Sequence, residues 1–161
     1  MKKINTYILE KFRISKDIKM QEYKYHPKSK KELTDLINKL YDERGDEADL
    51  NDIDVSNIND MNGLFENEKY NNMNFDISSW DVSNVLNMND MFDSCKKFNC
   101  DISRWVVSKV RFMNYMFYDC KTFNQDLSNW DVSKVSRWNG FDVGSALEKK
   151  YHPKFTWNNV K

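Results

Sequence analysis

Glycine, proline and histidine are scarce in this chain of 161 residues, which contains four glycines, two prolines and two histidines. Such low glycine and proline contents argue against a disordered or loop-dominated chain. The sequence has neither of the phosphate-binding motifs G-x-x-x-x-G-K-S/T and G-x-G-x-x-G, so no phosphate-cradling loop is expected. Apolar residues make up 40% of the chain, which is enough for the core of one domain.

The chain also lacks a long apolar run. No segment approaches the roughly 20 consecutive apolar residues that a membrane-spanning helix needs, so no membrane contact is expected. Polar residues at positions 5, 6 and 10 interrupt any export signal. We expect a cytoplasmic protein, or one at the cell surface if an export signal was removed. The three cysteines, an odd number without zinc-ligand spacing, predict a reducing compartment and no metal site: Cys95, Cys100 and Cys120.

Neither sign of charge is in excess overall, because 25 basic residues balance 25 acidic ones. This balance gives no net attraction to nucleic acid. The charges are nevertheless grouped: the net charge is +6 over residues 1–41, −11 over 42–101 and +5 over 102–161. The acidic middle is either an ordinary solvated surface or a surface for a basic partner.

A segment of eight residues recurs with a period of 25. Asp-Ile-Ser-Ser-Trp-Asp-Val-Ser at 76–83 returns in similar form at 101–108 and 126–133, and a looser copy at 49–56 precedes it by 27 residues. The following apolar positions match as well. A repeat region of about four units is therefore predicted at 49–138.

Within one unit the spacing predicts one short helix and one short strand. Ser83 is a suitable N-cap, and Val85, Met88 and Phe92 follow at helical spacing. Residues 98–102 have the character of a strand. One helix and one strand per 25 residues fit the size class of leucine-rich repeats. We therefore predict an α/β, leucine-rich-repeat-like right-handed solenoid, with a short parallel sheet on one face and short helices on the other.

The two ends are predicted to be caps of the same structural domain, at 1–48 and 139–161. The N-terminal cap is predicted as helix, strand and helix: a helix at 3–14, an extended segment before Pro27, and a helix that follows a capping box at 29–32 and stops at Gly45. Alternation of Phe155, Trp157 and Val160 suggests a final strand. The tetrapeptide Tyr-His-Pro-Lys occurs at both 25–28 and 151–154, either as shared cap chemistry or as a paired role for the two histidines.

The repeat resembles a known family. The run Phe-Asn-Gln-Asp-Leu-Ser-Asn-Trp-Asp-Val-Ser-Lys-Val at 123–135, together with Met-Phe-x-x-Cys in the preceding turns, is similar to the BspA-like repeat. That repeat is a bacterial surface-protein variant of the leucine-rich repeat, common in mycoplasma lipoproteins, other bacteria and phages. The resemblance covers 49–138 and implies binding or adhesion without a shared ligand.

No set of catalytic residues emerges. Cys95 and Cys120 occupy the same repeat position, which favours packing over nucleophilic catalysis. The acidic run at 49–54 has some similarity to a calcium-binding loop. It has Ile53 at a ligand position and Asp54 where such a loop requires glycine, so no calcium site is expected there. We expect neither an enzyme nor a metal or cofactor.

Two columns of repeated side chains are the candidate binding residues. The first is acidic, and its residues either hydrogen-bond backbone amides at turns or form a stripe that meets a basic partner: Asp49, Asp52, Asp54, Asp60, Glu66, Glu68, Asp76, Asp101 and Asp126. The second is aromatic, and core packing is its favoured role over contact with a partner: Trp80, Trp105 and Trp130.

These features predict a non-catalytic protein-binding module whose partner is another protein with a basic surface, and they leave its oligomeric state open. One alternative is a phage-type inhibitor that mimics nucleic-acid charge to block a bacterial defence protein such as a CRISPR effector. The other alternative is a bacterial surface adhesin or lipoprotein fragment.

Overall fold

The computed structural model describes residues 23–156, and within them the regular secondary structure is one α-helix and two short 3-10 helices. Helix α1 covers Lys30–Arg44, and the 3-10 helices cover Glu68–Tyr70 and Lys149–Tyr151. The predicted helix at 3–14 lies outside the described residues, and so do Trp157 and Val160 of the predicted final strand.

Helix α1 begins and ends at the residues that the sequence indicates. The Ser29 hydroxyl accepts the Glu32 N–H at 3.2 Å, and the Glu32 carboxylate accepts the Lys28 N–H at 2.9 Å. Gly45 ends the helix with a positive φ of 80° and donates its N–H to the Tyr41 carbonyl. The helix buries Leu33, Ile37 and Leu40.

The repeats lie side by side in register. We number them copy 1 (49–75), copy 2 (76–100), copy 3 (101–125) and copy 4 (126–148). Phe65, Phe92 and Phe117 stack with ring centroids 5.5 Å apart at each step and with nearly parallel planes. A second aromatic column runs beside them through Phe98 and Phe123, whose centroids are 5.6 Å apart. Each copy therefore seals the apolar face of its neighbour.

Backbone hydrogen bonds join the copies at alternate residues. In copy 2 the N–H groups of Met88, Asp90, Phe92 and Ser94 donate to carbonyls of copy 3 at 2.8–3.0 Å. The residues between them point inward or form turns, as with Asp93, whose N–H donates to the Asp90 carbonyl. The bonds between copies 3 and 4 continue past the Val143 carbonyl to Ala146, whose N–H donates to the Cys120 carbonyl at 3.2 Å.

The predicted α/β, leucine-rich-repeat-like right-handed solenoid is wrong in its secondary structure. Over residues 23–156 there is no sheet and no strand, only five isolated parallel bridges such as Asn87 with Phe112. No α-helix forms in the copies. The N–H groups that a helix would use locally are donated to the next copy instead. The predicted helix–strand–helix cap is also wrong, because Tyr25 makes a single bridge to Ile53 where a strand was expected.

The two Tyr-His-Pro-Lys tetrapeptides have similar surroundings at the two ends. The Tyr25 carbonyl accepts the Asp54 N–H, and the Tyr151 carbonyl accepts the Leu127 N–H. Both prolines are buried. Each histidine lies against an aspartate, His26 beside Asp54 at 3.2 Å and His152 beside Asp142 at 2.9 Å.

Candidate interaction surface

The repeated aspartates are bonded to the turns that follow them. The Oδ1 atoms of Asp49, Asp76, Asp101 and Asp126 each accept the N–H two residues further on, at 2.9–3.0 Å. In copy 2 the Ser78 hydroxyl donates to the same Asp76 oxygen at 2.7 Å. These carboxylates therefore shape the chain at each copy.

The pKa values of these carboxyls reflect the same bonds. The Ser103 hydroxyl and N–H lower the pKa of Asp101, and Ser128 does the same for Asp126. At Asp76, burial opposes ionisation, but hydrogen bonds from Ser78, Asn51 and Cys100 outweigh it and lower the pKa.

The remaining predicted acidic residues do not form one continuous stripe. Asp52 is bound by the Arg44 guanidinium through two bonds of 2.8–2.9 Å, which lowers its pKa despite partial burial. Asp54 accepts from the Ser56 hydroxyl and lies beside His26. Asp60 accepts the Asn62 N–H at 3.0 Å. Glu66 and Glu68 are exposed.

The three repeated tryptophans lie in the core. They are only 3–5% exposed, and each indole N–H donates to a carbonyl of the preceding copy. The acceptors of Trp80, Trp105 and Trp130 are the carbonyls of Leu50, Ile77 and Ile102, at 2.9, 3.3 and 3.3 Å. No large part of these rings is available to a partner.

A different part of each copy faces outward with side chains that change along the stack. We call it the turn face and define it by two columns, each of which takes one residue from every copy. The inner column is Gly63, Asp90, Tyr115 and Gly140; the outer column is Glu66, Asp93, Tyr118 and Val143. Both columns change from acidic to apolar at the same step, between copy 2 and copy 3.

The inner column holds a left-handed backbone in every copy. The φ values are 55° at Gly63, 55° at Asp90, 52° at Tyr115 and 62° at Gly140. Glycine adopts this conformation without cost, whereas a bulky residue such as tyrosine rarely does. Copies 2 and 3 therefore carry functional groups at a position where copies 1 and 4 have glycine.

The apolar half of the turn face is unusual in its exposure. Tyr115, Tyr118 and Val143 are 45%, 39% and 55% exposed, in a chain whose other large apolar side chains are mostly buried. The two tyrosine rings pack edge to face with centroids 5.9 Å apart. Exposed apolar side chains that lie together are typical of contact surfaces.

The acidic half consists of Glu66, Asp90 and Asp93. Glu66 is exposed, but slight desolvation raises its pKa, the negative charges of Asp90 and Asp93 raise it further, and Lys30 acts in the opposite direction. Burial and the charge of Asp93 also raise the pKa of Asp90, which accepts a bond from the Asn62 side chain. The three carboxylates therefore repel one another.

Of the turn-face residues, only Glu66 was among the sequence candidates. The sequence does contain a signal for the others. When the four copies are aligned, the positions of Asp90, Asp93, Tyr115 and Tyr118 change residue type from copy to copy. Two of the four inner-column residues are glycine, the residue that a left-handed backbone favours. The aspartate and the tyrosine between them are therefore not explained by the backbone conformation.

The cysteine thiols are unsuited to nucleophilic chemistry. Cys95 and Cys120 are buried, and their thiols donate to the Phe65 and Phe92 carbonyls at 3.3 and 3.0 Å. Burial raises the pKa of Cys120 to about 12. Across residues 23–156 no group of three or more histidine, cysteine or acidic side chains is placed to hold a metal ion. That same part of the chain has no helix long and apolar enough to cross a bilayer.

A comparison with protein families identifies a relationship over most of the chain. The model of a family described as "Mycoplasma protein of unknown function, DUF285" matches residues 34–152. No curated protein and no solved structure matches the chain.

Proposed function

The chain belongs to this DUF285 family, and from that premise we propose that it is a non-catalytic protein-binding module whose contact surface is the turn face. The observation that carries the proposal is the joint exposure of Tyr115, Tyr118 and Val143. Aromatic side chains supply much of the binding energy at protein interfaces, and they bury a large area with little loss of conformational freedom.

We also propose that the repeat unit is of the BspA-like type, on the sequence at 123–135 quoted above. Binding without a shared ligand is what this resemblance implies. It agrees with a stack in which buried positions keep the same residue types while exposed turn positions differ from copy to copy.

The inhibitor alternative depends on carboxylates available to meet a basic channel. Arg44 already binds Asp52, and Ser56 and His26 contact Asp54. Two of the predicted acidic candidates, Asp52 and Asp54, are therefore engaged within the chain, and the binding-module proposal is preferred.

The test is a comparison of three forms of the protein as bait in lysate of the native host. The double variant Tyr115→Ser/Tyr118→Ser removes the aromatic part of the turn face. The control variant Leu86→Ser changes a residue of similar exposure, 41%, that lies on another part of the copies. Thermal unfolding verifies that all three forms are folded.

We expect the wild type and Leu86→Ser to retain one or more proteins. The double variant should bind the same proteins at least about tenfold more weakly, which is the usual effect of losing an interface anchor. Equal retention by all three forms would reject the turn face as the contact surface.

A further inference from the structure

The switch from acidic to apolar residues divides the turn face into two halves of similar size. Glu66, Asp90 and Asp93 lie on copies 1 and 2, whereas Tyr115, Tyr118 and Val143 lie on copies 3 and 4. The halves are contiguous: the Ser94 N–H, next to Asp93, donates to the Tyr118 carbonyl at 2.8 Å. A partner that covers the apolar half therefore reaches the acidic half.

The separation of the two halves follows from the spacing of the copies. The stacked phenylalanines give 5.5 Å per step, and the centres of the halves are two steps apart, so about 11 Å separates them. This is the length of seven residues of α-helix, or of three to four residues of extended chain.

The acidic half has only partial charge compensation: Lys30 favours the ionised form of Glu66, but burial and the two aspartates outweigh it. Among the residues that the structure describes, Glu66, Asp90 and Asp93 take part in no ion pair. Lys69, three residues after Glu66 in the sequence, lies over the Tyr41 and Tyr70 rings. A cation supplied by a partner would relieve repulsion between three carboxylates at once.

We infer that the occupant of the turn face is a protein segment with lysine or arginine at one end and apolar side chains about 11 Å away at the other. Its cationic end lies over copies 1 and 2 and its apolar end over copies 3 and 4. This inference rests on the proposed function, because it specifies the partner of the same surface.

The experiment uses three short helical peptides with the full chain, followed by amide chemical shifts in NMR. The first peptide carries two arginines and two leucines, separated by seven residues. In the second peptide glutamates replace the arginines, and in the third serines replace the leucines. A triple variant, Glu66→Gln/Asp90→Asn/Asp93→Asn, removes the charges while keeping side chains that accept hydrogen bonds.

A charge-matched control is available on and just after helix α1. The variant Asp42→Asn/Glu43→Gln/Glu47→Gln also removes three negative charges, from exposed side chains that do not belong to the turn face. It separates the effect of local charge from that of net charge.

We expect the arginine–leucine peptide to shift the amides of both halves of the turn face, and to bind about tenfold more weakly to the Glu66/Asp90/Asp93 variant than to the control variant. Its binding should also weaken as salt is added, because these carboxylates are close to solvent. Equal binding of the glutamate peptide, shifts confined to another surface, or absence of binding by all three peptides would each overturn the inference.

The lysate experiment distinguishes this failure from a failure of the proposed function. If a captured protein is lost with Tyr115→Ser/Tyr118→Ser but is held equally by the Glu66/Asp90/Asp93 variant, the binding function stands and the cationic partner is rejected. If the tyrosine variant captures the same proteins as the wild type, the proposed function itself is rejected.

Discussion

The Tyr115 ring of copy 3 lies over Gly140 of copy 4, so closely that a Cβ atom on residue 140 would come within 2.4 Å of ring carbon Cε1. Gly140 also has a φ of 62°, in the left-handed region. Two separate requirements, backbone conformation and space, therefore favour glycine at this position. The exposed position of the Tyr115 ring depends on a neighbour without a side chain.

Gly140→Ala is expected to destabilise the protein by about 1–2 kcal/mol for the left-handed backbone, and to displace the Tyr115 ring in addition. Urea unfolding measures the loss of stability, and the aromatic NMR signals of Tyr115 report the displacement. The matched reference is Gly140→Ala made in a Tyr115→Ser background, which keeps the left-handed backbone at residue 140 and removes the ring.

The double variant Gly140→Ala/Tyr115→Ser isolates the contact. If the ring is the obstacle, Gly140→Ala lowers the free energy of unfolding less in the Tyr115→Ser background than in the wild type. An equal loss in the two backgrounds would show that the ring contact is unimportant.

Trp105→Phe is expected to lower the free energy of unfolding by about 1–2 kcal/mol. The substitution removes the indole N–H that donates to the Ile77 carbonyl of the preceding copy, and it leaves part of the indole volume empty. The loss stays moderate because the backbone N–H of Trp80 still donates to the Ile77 carbonyl at 3.1 Å. Urea unfolding with an unchanged midpoint would contradict a role for this bond in joining the copies.

Burial was predictable from the repeat, but secondary structure was not. Val85, Met88 and Phe92 are all buried, as their spacing indicates. The same spacing suits a helix and a chain that turns every three residues. The difference lies in where the Met88 N–H goes, which is the Phe112 carbonyl of the next copy, and no local pattern specifies a partner 24 residues away.

The candidate site was predictable in part, for a related reason. A block of negative charge drew attention to Asp52 and Asp54, but their bonds to Arg44, Ser56 and His26 appear only when separate segments are brought together. The sequence does not identify Tyr115 as exposed, because an aromatic residue within an apolar repeat is usually a core residue. Its exposure follows from a left-handed backbone at that position.

The variant Glu66→Gln/Asp90→Asn/Asp93→Asn is expected to be more stable than the wild type at neutral pH. Folding raises the pKa of Glu66 and Asp90, so the folded state binds protons more tightly than the unfolded chain. Their ionisation therefore destabilises the fold as the pH rises through the raised values, and protonation relieves this as the pH falls. Solvent screening limits the gain to under about 1 kcal/mol.

Urea unfolding at pH 7 and at about pH 4 tests this linkage, since carboxyl groups near their ordinary pKa begin to protonate there. The advantage of the variant should shrink at the lower pH. The Asp42/Glu43/Glu47 variant, whose residues do not belong to the repelling group, should show no such change, and an equal gain in both variants would point to net charge alone.

Asp101→Ala is expected to destabilise the protein by about 1 kcal/mol more than Asp101→Asn, because asparagine keeps the Oδ1 atom that accepts the Ser103 N–H. The Ser103 bonds lower the pKa of Asp101, so the carboxylate stabilises the folded state at neutral pH and loses that effect as the pH falls through its lowered pKa. The wild type and the asparagine variant should therefore converge in stability in acid.

Peptide binding adds a second measurement for the repeated aspartates. If the repeated aspartates only shape turns, Asp76→Asn/Asp101→Asn/Asp126→Asn binds the arginine–leucine peptide as the wild type does, although it loses as many charges as the turn-face variant. Loss of binding in that variant would instead return the partner contact to the repeated aspartates.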